Sequence, residues 1–186
     1  MTGDPRKRLL ASLRLAAPCF LFVVLPSQAL GASTVRGRAA QEQVVGECIR
    51  HAAGGRGWLE KTLWGLRDQE GGWIGAEIVN SDGSHDLGPL QVNSWWVGRI
   101  SKLTGRKSAD VRWWLTHDAC FNVQAARWIF LSGLAVTRDY WQAIGVYHSP
   151  TGWRQRRYAH SVAAKLRVRF GTDVFASRTA AIDATD

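Results

Sequence analysis

The stretch around residue 70 constrains the fold of this 186-residue chain more than any other part of it. Leucines spaced by four and three residues end at Leu66 and predict one apolar face of a helix over 57–70. Glu70 continues that face in the last turn, and Gly71 with the glycine after it ends the helix, because glycine readily adopts a left-handed cap. The sequence therefore predicts a half-buried carboxylate whose pKa is raised toward neutrality, which suits a proton donor. A Glu70 side chain turned out to water at a frayed helix end is the alternative.

The next segment predicts a tight hairpin beside this helix end. Residues 80–86 are rich in Asn, Asp, Ser and Gly, and Asp82 followed by glycine is a strong turn signal. Gln91 and Asn93 are two residues apart, so on an extended segment they share one face. A carboxylate, a hairpin and an amide pair together favour a groove for a polymer rich in hydroxyl and amide groups.

The N-terminus is typical of a secretory signal peptide over residues 1–32. Basic residues precede an apolar run over 15–25 that is too short to span a bilayer. Small residues follow and allow cleavage after Ala29, Gly31 or Ala32. An uncleaved signal anchor is the alternative; with cleavage, we expect no stable membrane span in the mature chain.

Composition divides the remainder into three parts. Residues 33–40 are small and basic and are expected to form a disordered linker, residues 41–170 to form one folded domain, and residues 171–186 to form a flexible tail. Without the signal peptide, 20 basic and 14 acidic residues remain, a net charge of +6 that favours an anionic partner. Nucleic acid is not expected, because the basic residues are scattered apart from the run at 154–157 and the chain is exported.

Hydrophobic periodicity predicts a mainly α (α+β) fold with one small β-hairpin region. Ser94, Ser108 and Asp118 are expected to act as helix N-caps. The helices are expected over 41–53, 57–70, 95–103, 108–115, 118–131, 137–148 and 152–170. On the apolar faces of these helices we expect Trp64, Trp128 and Trp141 in the core.

Two cysteines remain after the signal peptide, Cys48 and Cys120. In an oxidising compartment such a pair indicates one disulfide, closing a loop of about 70 residues and stabilising the fold by roughly 2–4 kcal/mol. The alternative is a zinc site, since His51 and His117 each lie three residues from one of the cysteines.

Three motifs in order resemble those of lytic transglycosylases of the soluble-lytic-transglycosylase type. The helix-ending Glu is Glu70, although Gly71 replaces the usual Ser. Gly-Leu-Met-Gln reads Gly-Pro-Leu-Gln at 88–91, and Ala-Tyr-Asn-Ala-Gly reads Val-Tyr-His-Ser-Pro at 146–150. The approach over 80–88 is similar to that of the small specialised enzymes of secretion, pilus and conjugation systems, and the resemblance covers most of the domain.

This resemblance implies a lysozyme-like fold, with the hairpin region next to the active-site groove, and a reaction on peptidoglycan glycan strands. Glu70 would be the single acid and base, cleaving the β-1,4 bond between N-acetylmuramic acid and N-acetylglucosamine with formation of a 1,6-anhydro ring. No metal or cofactor is implied. Tyr147 would donate a hydrogen bond near Glu70 or the acetamido group. The substrate-binding set is completed by Gln91, Asn93, Ser81, Trp73 and Trp95, the indoles stacking on sugar rings.

The resemblance also implies that the two cysteines are paired, that the chain is periplasmic or secreted, and that components of a secretion, conjugation or pilus system are candidate partners. Two alternatives stay open. One is a lysozyme-type muramidase in which Asp82 or Asp86 places a water. The other is a wall-binding assembly protein whose activity has lapsed, suggested by Gly71 and Pro89.

Overall fold

The computed structural model describes residues 28–175, which are mostly helical with one small antiparallel sheet. Residues 1–27 of the predicted signal peptide and residues 176–186 of the predicted tail lie outside this range. The helices are α1 (Gln28–Ala53), α2 (Gly57–Glu70), α3 (Val97–Thr104), α4 (Ser108–His117), α5 (Ala119–Thr137), α6 (Tyr140–His148) and α7 (Gly152–Phe170). The strands are β1 (Glu77–Val79), β2 (His85–Leu87) and β3 (Val92–Asn93), and short 3-10 turns cover Ser94–Trp96 and Thr172–Phe175.

The first helix starts earlier than the sequence predicted. α1 runs continuously from Gln28, so the disordered linker expected at 33–40 is wrong: that segment is helical. It contains no proline, and its alanines and arginines are good helix formers. The helix ends at Ala53, before two glycines with positive φ, as predicted.

The later helix boundaries show which caps were misassigned. Asp118 caps α5 as predicted, its carboxylate accepting the N–H of Phe121 at 2.9 Å. Ser94 does not cap, because Asn93 takes that place and accepts the N–H of Trp95. Ser108 is the first residue of α4, and the residue in the cap position before it makes no side-chain capping hydrogen bond. α5 also extends six residues further than expected, so α6 begins only at Tyr140, capped by Asp139.

The core is built around α5, which carries Val123, Ile129 and Phe130 into the interior. The disulfide between Cys48 and Cys120 joins this helix to α1. By length and composition alone α5 is long and apolar enough to cross a membrane, and 39% of that apolar window is buried inside the fold. Trp64 and Trp128 pack against the core as expected, whereas Trp141, 37% exposed, does not belong to it.

The sheet contains the hairpin, and the segment that follows its middle strand lies near the end of α2. β2 pairs antiparallel with both β1 and β3, and Asp86 stands opposite Ile78 on one side and Asn93 on the other. The segment that leaves β2 is held close to the end of α2: a Cβ on Gly72 would fall 2.2 Å from the carbonyl oxygen of Gly88. Only glycine at position 72 permits this approach, which places the hairpin beside Glu70.

Candidate active site

Glu70 is the last residue of α2 and projects from the side of the helix that faces the interior. Leu66, one turn earlier, is fully buried, and Glu70 itself is partly buried. Gly71 takes the left-handed conformation (φ 62°) and donates its N–H to the carbonyl oxygen of Arg67 at 2.9 Å. The helix end is therefore ordered, as predicted, and the alternative of a frayed end turned to water is wrong.

Burial raises the pKa of Glu70 from 4.5 to about 7. Loss of water is the largest cause; a hydrogen bond from Tyr158 lowers the pKa, and the negative charge of Asp86 raises it. The negative end of the helix dipole acts in the same direction as Asp86. A carboxyl group whose pKa is raised toward neutrality can both donate and accept a proton near pH 7.

Two buried phenols flank the carboxylate, and they have different partners. Tyr158 on α7 donates its hydroxyl hydrogen to Oε1 of Glu70. Tyr147 on α6 donates to the carbonyl oxygen of Leu90 at 2.8 Å. Burial, followed by the charge of Glu70, raises the pKa of both phenols well above 10, so both remain donors. We had expected Tyr147 to donate near Glu70 or to the acetamido group. The hydroxyl of Tyr147 instead donates to the carbonyl oxygen of Leu90, and Tyr158 donates the hydrogen bond to Glu70.

A second carboxylate, Asp86 of β2, lies close enough to act on Glu70 through its charge. Nδ2 of Asn93 donates to Oδ1 of Asp86 and to Oγ of Ser84, each at 2.9 Å. Oδ1 of Asn93 accepts the N–H of Trp95 at 3.1 Å. The amide nitrogen of Asn93 therefore positions Asp86, and the sugar contact predicted for Asn93 would use the second lone pair of its Oδ1 or replace one of these bonds.

Gln91 lies directly against the residue that follows the end of α2. Its Nε2 donates to the carbonyl oxygen of Gly88 at 2.8 Å, and a Cβ on Gly72 would fall 2.8 Å from the same nitrogen. Its backbone has a φ of 46°, a region that residues other than glycine rarely adopt and that recurs at functional sites. This placement near Glu70 suits the substrate-binding role predicted for Gln91.

A buried asparagine, Asn122 of α5, holds the 88–91 segment in place. Its Nδ2 donates to the carbonyl oxygens of Leu87 and Leu115, both at 2.8 Å, and its Oδ1 accepts the N–H of Leu90 at 2.9 Å. A Cβ on Gly88 would fall 2.1 Å from the carbonyl oxygen of Leu115, so this junction has no spare room. The sequence analysis missed Asn122, although a polar residue on the apolar face of a core helix signals a required partner.

The outer members of the predicted site are exposed to solvent. Trp73, three residues after Glu70, is 53% exposed, and Trp95 is 63% exposed with its ring 6.1 Å from that of Trp96. Ser81 is exposed in the hairpin turn. Flat exposed indoles can stack on sugar rings at small entropic cost. Sugar contact by these three residues stays a prediction.

Two other carboxylates near the hairpin have structural partners. Asp82 is exposed and accepts the N–H and the hydroxyl hydrogen of Ser84 at 2.9 and 2.7 Å, bonds that lower its pKa. It is thus a turn-capping residue. Glu77 is exposed and paired with Arg112. Neither has the buried surroundings that raise the pKa of Glu70.

Sequence reasoning also missed two ring residues at the site, Tyr158 and His148. Tyr158 shares the buried face of α7 with Val162 and Leu166. His148 stacks on it with ring centroids 4.6 Å apart and ring planes 4° apart. The only available signal was the polar tip of a tyrosine placed among aliphatic side chains.

The zinc alternative is wrong, because the disulfide uses both thiolates that it required. Within residues 28–175 no group of three or more His, Cys, Asp and Glu side chains is arranged to hold a metal ion.

The chain is similar to an invasion protein. It is 28% identical over 110 residues to Invasion protein IagB of Salmonella typhimurium (strains SL1344 and LT2) and of Salmonella typhi. The match covers 56% of this chain and 66% of the IagB chain, slightly under two thirds of its length. No family model matches the chain.

Proposed function

We propose that this chain is a peptidoglycan lytic transglycosylase of the soluble-lytic-transglycosylase family, with a lysozyme-like fold. The observation that carries the proposal is the partly buried Glu70 at the end of α2, which accepts a hydrogen bond from Tyr158. A carboxyl group at an ordered helix end, whose pKa burial raises to about 7, suits a general acid. The short antiparallel sheet beside a helical body is the arrangement expected of a lysozyme-like groove.

The first step is transfer of the proton from Glu70 to the oxygen that links N-acetylmuramic acid to N-acetylglucosamine. The bond between that oxygen and C1 of the muramic acid breaks, and positive charge develops at C1. The oxygen of the substrate's own acetamido group shares this charge. Asp86 adds a fixed negative charge on the same side, because it is close enough to act on Glu70 electrostatically.

In the second step Glu70, now a carboxylate, removes the proton from the C6 hydroxyl of the same sugar. The C6 oxygen bonds to C1 and closes the 1,6-anhydro ring, so Glu70 is protonated again and no water is consumed. One group serves as acid and then as base most readily when its pKa is close to the working pH. Tyr158 assists the first role, since its hydrogen bond stabilises the carboxylate that remains after Glu70 has given up its proton.

Asp86 favours one second candidate, a muramidase that hydrolyses the same bond. Hydrolysis needs a carboxylate to direct a water at C1, and Asp86 is held by Asn93 beside the acid. Asp82, the other carboxylate considered for this role, is less suited because it already accepts two hydrogen bonds from Ser84 in the exposed turn. The two reactions share Glu70 and differ in their product.

The proposed setting is outside the cytoplasm, where a cysteine pair oxidises readily. The disulfide supports export, and the similarity to a protein named for invasion supports work beside a secretion, conjugation or pilus apparatus. In that setting the enzyme would open local gaps in the wall, and apparatus components would be its protein partners. Trp73, Trp95 and Gln91 would hold the glycan strand.

The test is solubilisation of purified peptidoglycan by the domain over residues 33–186, with Glu70→Gln beside it. Glu60→Gln, in the first turn of the same helix, is the matched control. We expect loss of at least a thousandfold of activity in the first variant and little change in the second. A Glu70→Gln protein that digests the wall normally would contradict both enzymatic candidates. Wall binding without release by the wild type would favour an assembly protein.

A further inference from the structure

Only the ring of Tyr158 lies between His148 and the proposed acid, Glu70. Its imidazole lies parallel to the phenol of Tyr158, with centroids 4.6 Å apart and planes 4° apart, and Tyr158 donates its hydrogen bond to Glu70. His148 is exposed at the end of α6, whereas Tyr158 is buried in α7. The stacked pair therefore connects the solvent side of the site to the carboxylate.

The turn between α6 and α7 holds the two rings in this arrangement. Nε2 of Gln155 donates to the carbonyl oxygen of Ser149 at 3.0 Å, and the N–H of Thr151 donates to Oγ of the same serine at 3.2 Å. The helices also approach closely at Gly145, where a Cβ would fall 2.5 Å from the Cβ of Gln155. Such a tight junction leaves little freedom to shift His148 relative to Tyr158.

The charged groups that act on His148 come from two other elements. Partial burial of its ring against Tyr158 lowers the pKa of His148 below its ordinary value of 6.5, the carboxylate of Asp86 in β2 raises it, and Arg154 in α7 lowers it. The third neighbour, Tyr158, is uncharged. Since the pKa of Glu70 is about 7, there is a pH range in which Glu70 is protonated and His148 is neutral.

We propose that His148 is a positioning residue for Glu70, acting through the stacked ring of Tyr158, and that it serves the reaction only as the neutral imidazole. This inference rests on the proposed function. The neutral ring holds the phenol against the carboxylate and adds no charge to the site. The third motif of the resembled family has Asn where this chain has His148, so the stacked ring is a departure from that motif.

Protonation of His148 disturbs the site in two ways. A cation beside Asp86 offsets the negative charge that raises the pKa of Glu70 and that would stabilise the developing positive charge at C1. A cation stacked on the phenol also makes Tyr158 a stronger donor, which stabilises Glu70 as the carboxylate. Activity should therefore fall at acidic pH because His148 gains a proton, and at basic pH because Glu70 loses its proton.

The first measurement is the pH profile of anhydro-product release by the wild type and two variants. His148→Phe keeps a stacked ring that cannot gain a proton, and we expect loss of the acidic limb of its profile. His148→Asn also loses the stacking, so its basic limb should move to higher pH as the bond from Tyr158 loosens. His160→Gln, an exposed histidine on α7, is the control and should keep both limbs. An unchanged acidic limb in both His148 variants would overturn the proposal.

The second measurement does not depend on turnover. The ¹³C shift of the Glu70 carboxyl carbon, followed by NMR against pH, should show its own inflection and a smaller one from His148. The smaller inflection should vanish in His148→Phe and persist in His160→Gln. Failure of the wild type to release anhydro product would contradict the proposed function while leaving this readout intact. A Glu70 titration identical in wild type and His148→Phe would overturn the role of His148.

Discussion

Tyr158 in α7 donates its phenolic hydrogen to Glu70 at the end of α2, 88 residues earlier in the chain. This bond opposes the burial that raises the pKa of the carboxyl. The pKa of Glu70 is thus kept near 7 by burial, which favours the acid form, and by the hydrogen bond, which favours the carboxylate. The last long helix is for this reason part of the site as well as part of the packing.

The raised pKa of Glu70 predicts a specific dependence of stability on pH. Because the folded-state pKa lies above the unfolded value, the fold gains from protonation of Glu70 below pH 4.5 and loses that gain as pH rises through 7. The shift corresponds to about 3 kcal/mol. Glu70→Gln should remove this dependence. The difference in free energy of unfolding between the variant and the wild type, from urea denaturation, should therefore grow by about 3 kcal/mol between pH 4 and pH 8. An unchanged difference would contradict the pKa assigned to Glu70.

Replacement of Tyr158 by Phe should move the basic limb of the activity profile to higher pH. The phenol lowers the pKa of Glu70, so its removal lets burial raise that pKa further. We also expect a loss of about 1 kcal/mol in the free energy of unfolding. Tyr140→Phe is a matched control, because it removes a buried phenol that shares a 2.8 Å hydrogen bond with Thr62. If both variants displace the limb equally, Tyr158 has no special relation to Glu70.

Asn122→Ala should destabilise the protein and weaken activity together. The change leaves the N–H of Leu90 and the carbonyl oxygens of Leu87 and Leu115 without their buried partner. The expected cost is about 3 kcal/mol in urea denaturation. Gln124→Ala, two residues along the same helix and exposed, should change stability by less than about 0.5 kcal/mol. Equal effects in the two variants would mean that Asn122 does not hold the 88–91 segment.

Loss of the disulfide should destabilise the fold without altering the chemistry. Cys48 and Cys120 close a loop across a sequence separation of 72 residues and link α1 to α5. The double change to Ser should lower the free energy of unfolding by roughly 2–4 kcal/mol. A reductant should lower the stability of the wild type by a similar amount and leave the double variant unaffected. An equal response of both proteins to reductant would contradict the pairing.

Local sequence patterns were sufficient for the parts of the site that local interactions determine. The spacing of leucines and the glycine pair located the end of α2, and the Asp-Gly turn located the hairpin. Each of these depends on residues within a few positions of one another, so no tertiary information was needed.

The partners of the polar groups could not be read in the same way. A tyrosine at position 158 looks identical whether its hydroxyl meets Glu70 or a core water, since the partner lies far away in the chain. Asn93 was predicted to bind sugar, and the structure shows that its amide nitrogen donates to Ser84 and Asp86. Trp141 was assigned to the core from spacing alone, because helical periodicity does not show which face a neighbouring helix covers.

The measurement that tests the central claim most directly is the mass of the fragments released from purified peptidoglycan. A single acid and base at Glu70 predicts 1,6-anhydro products, lighter than hydrolysis products by one water, and their absence with Glu70→Gln. Products with free reducing ends would contradict the transglycosylase reaction and assign the water-directing role to Asp86.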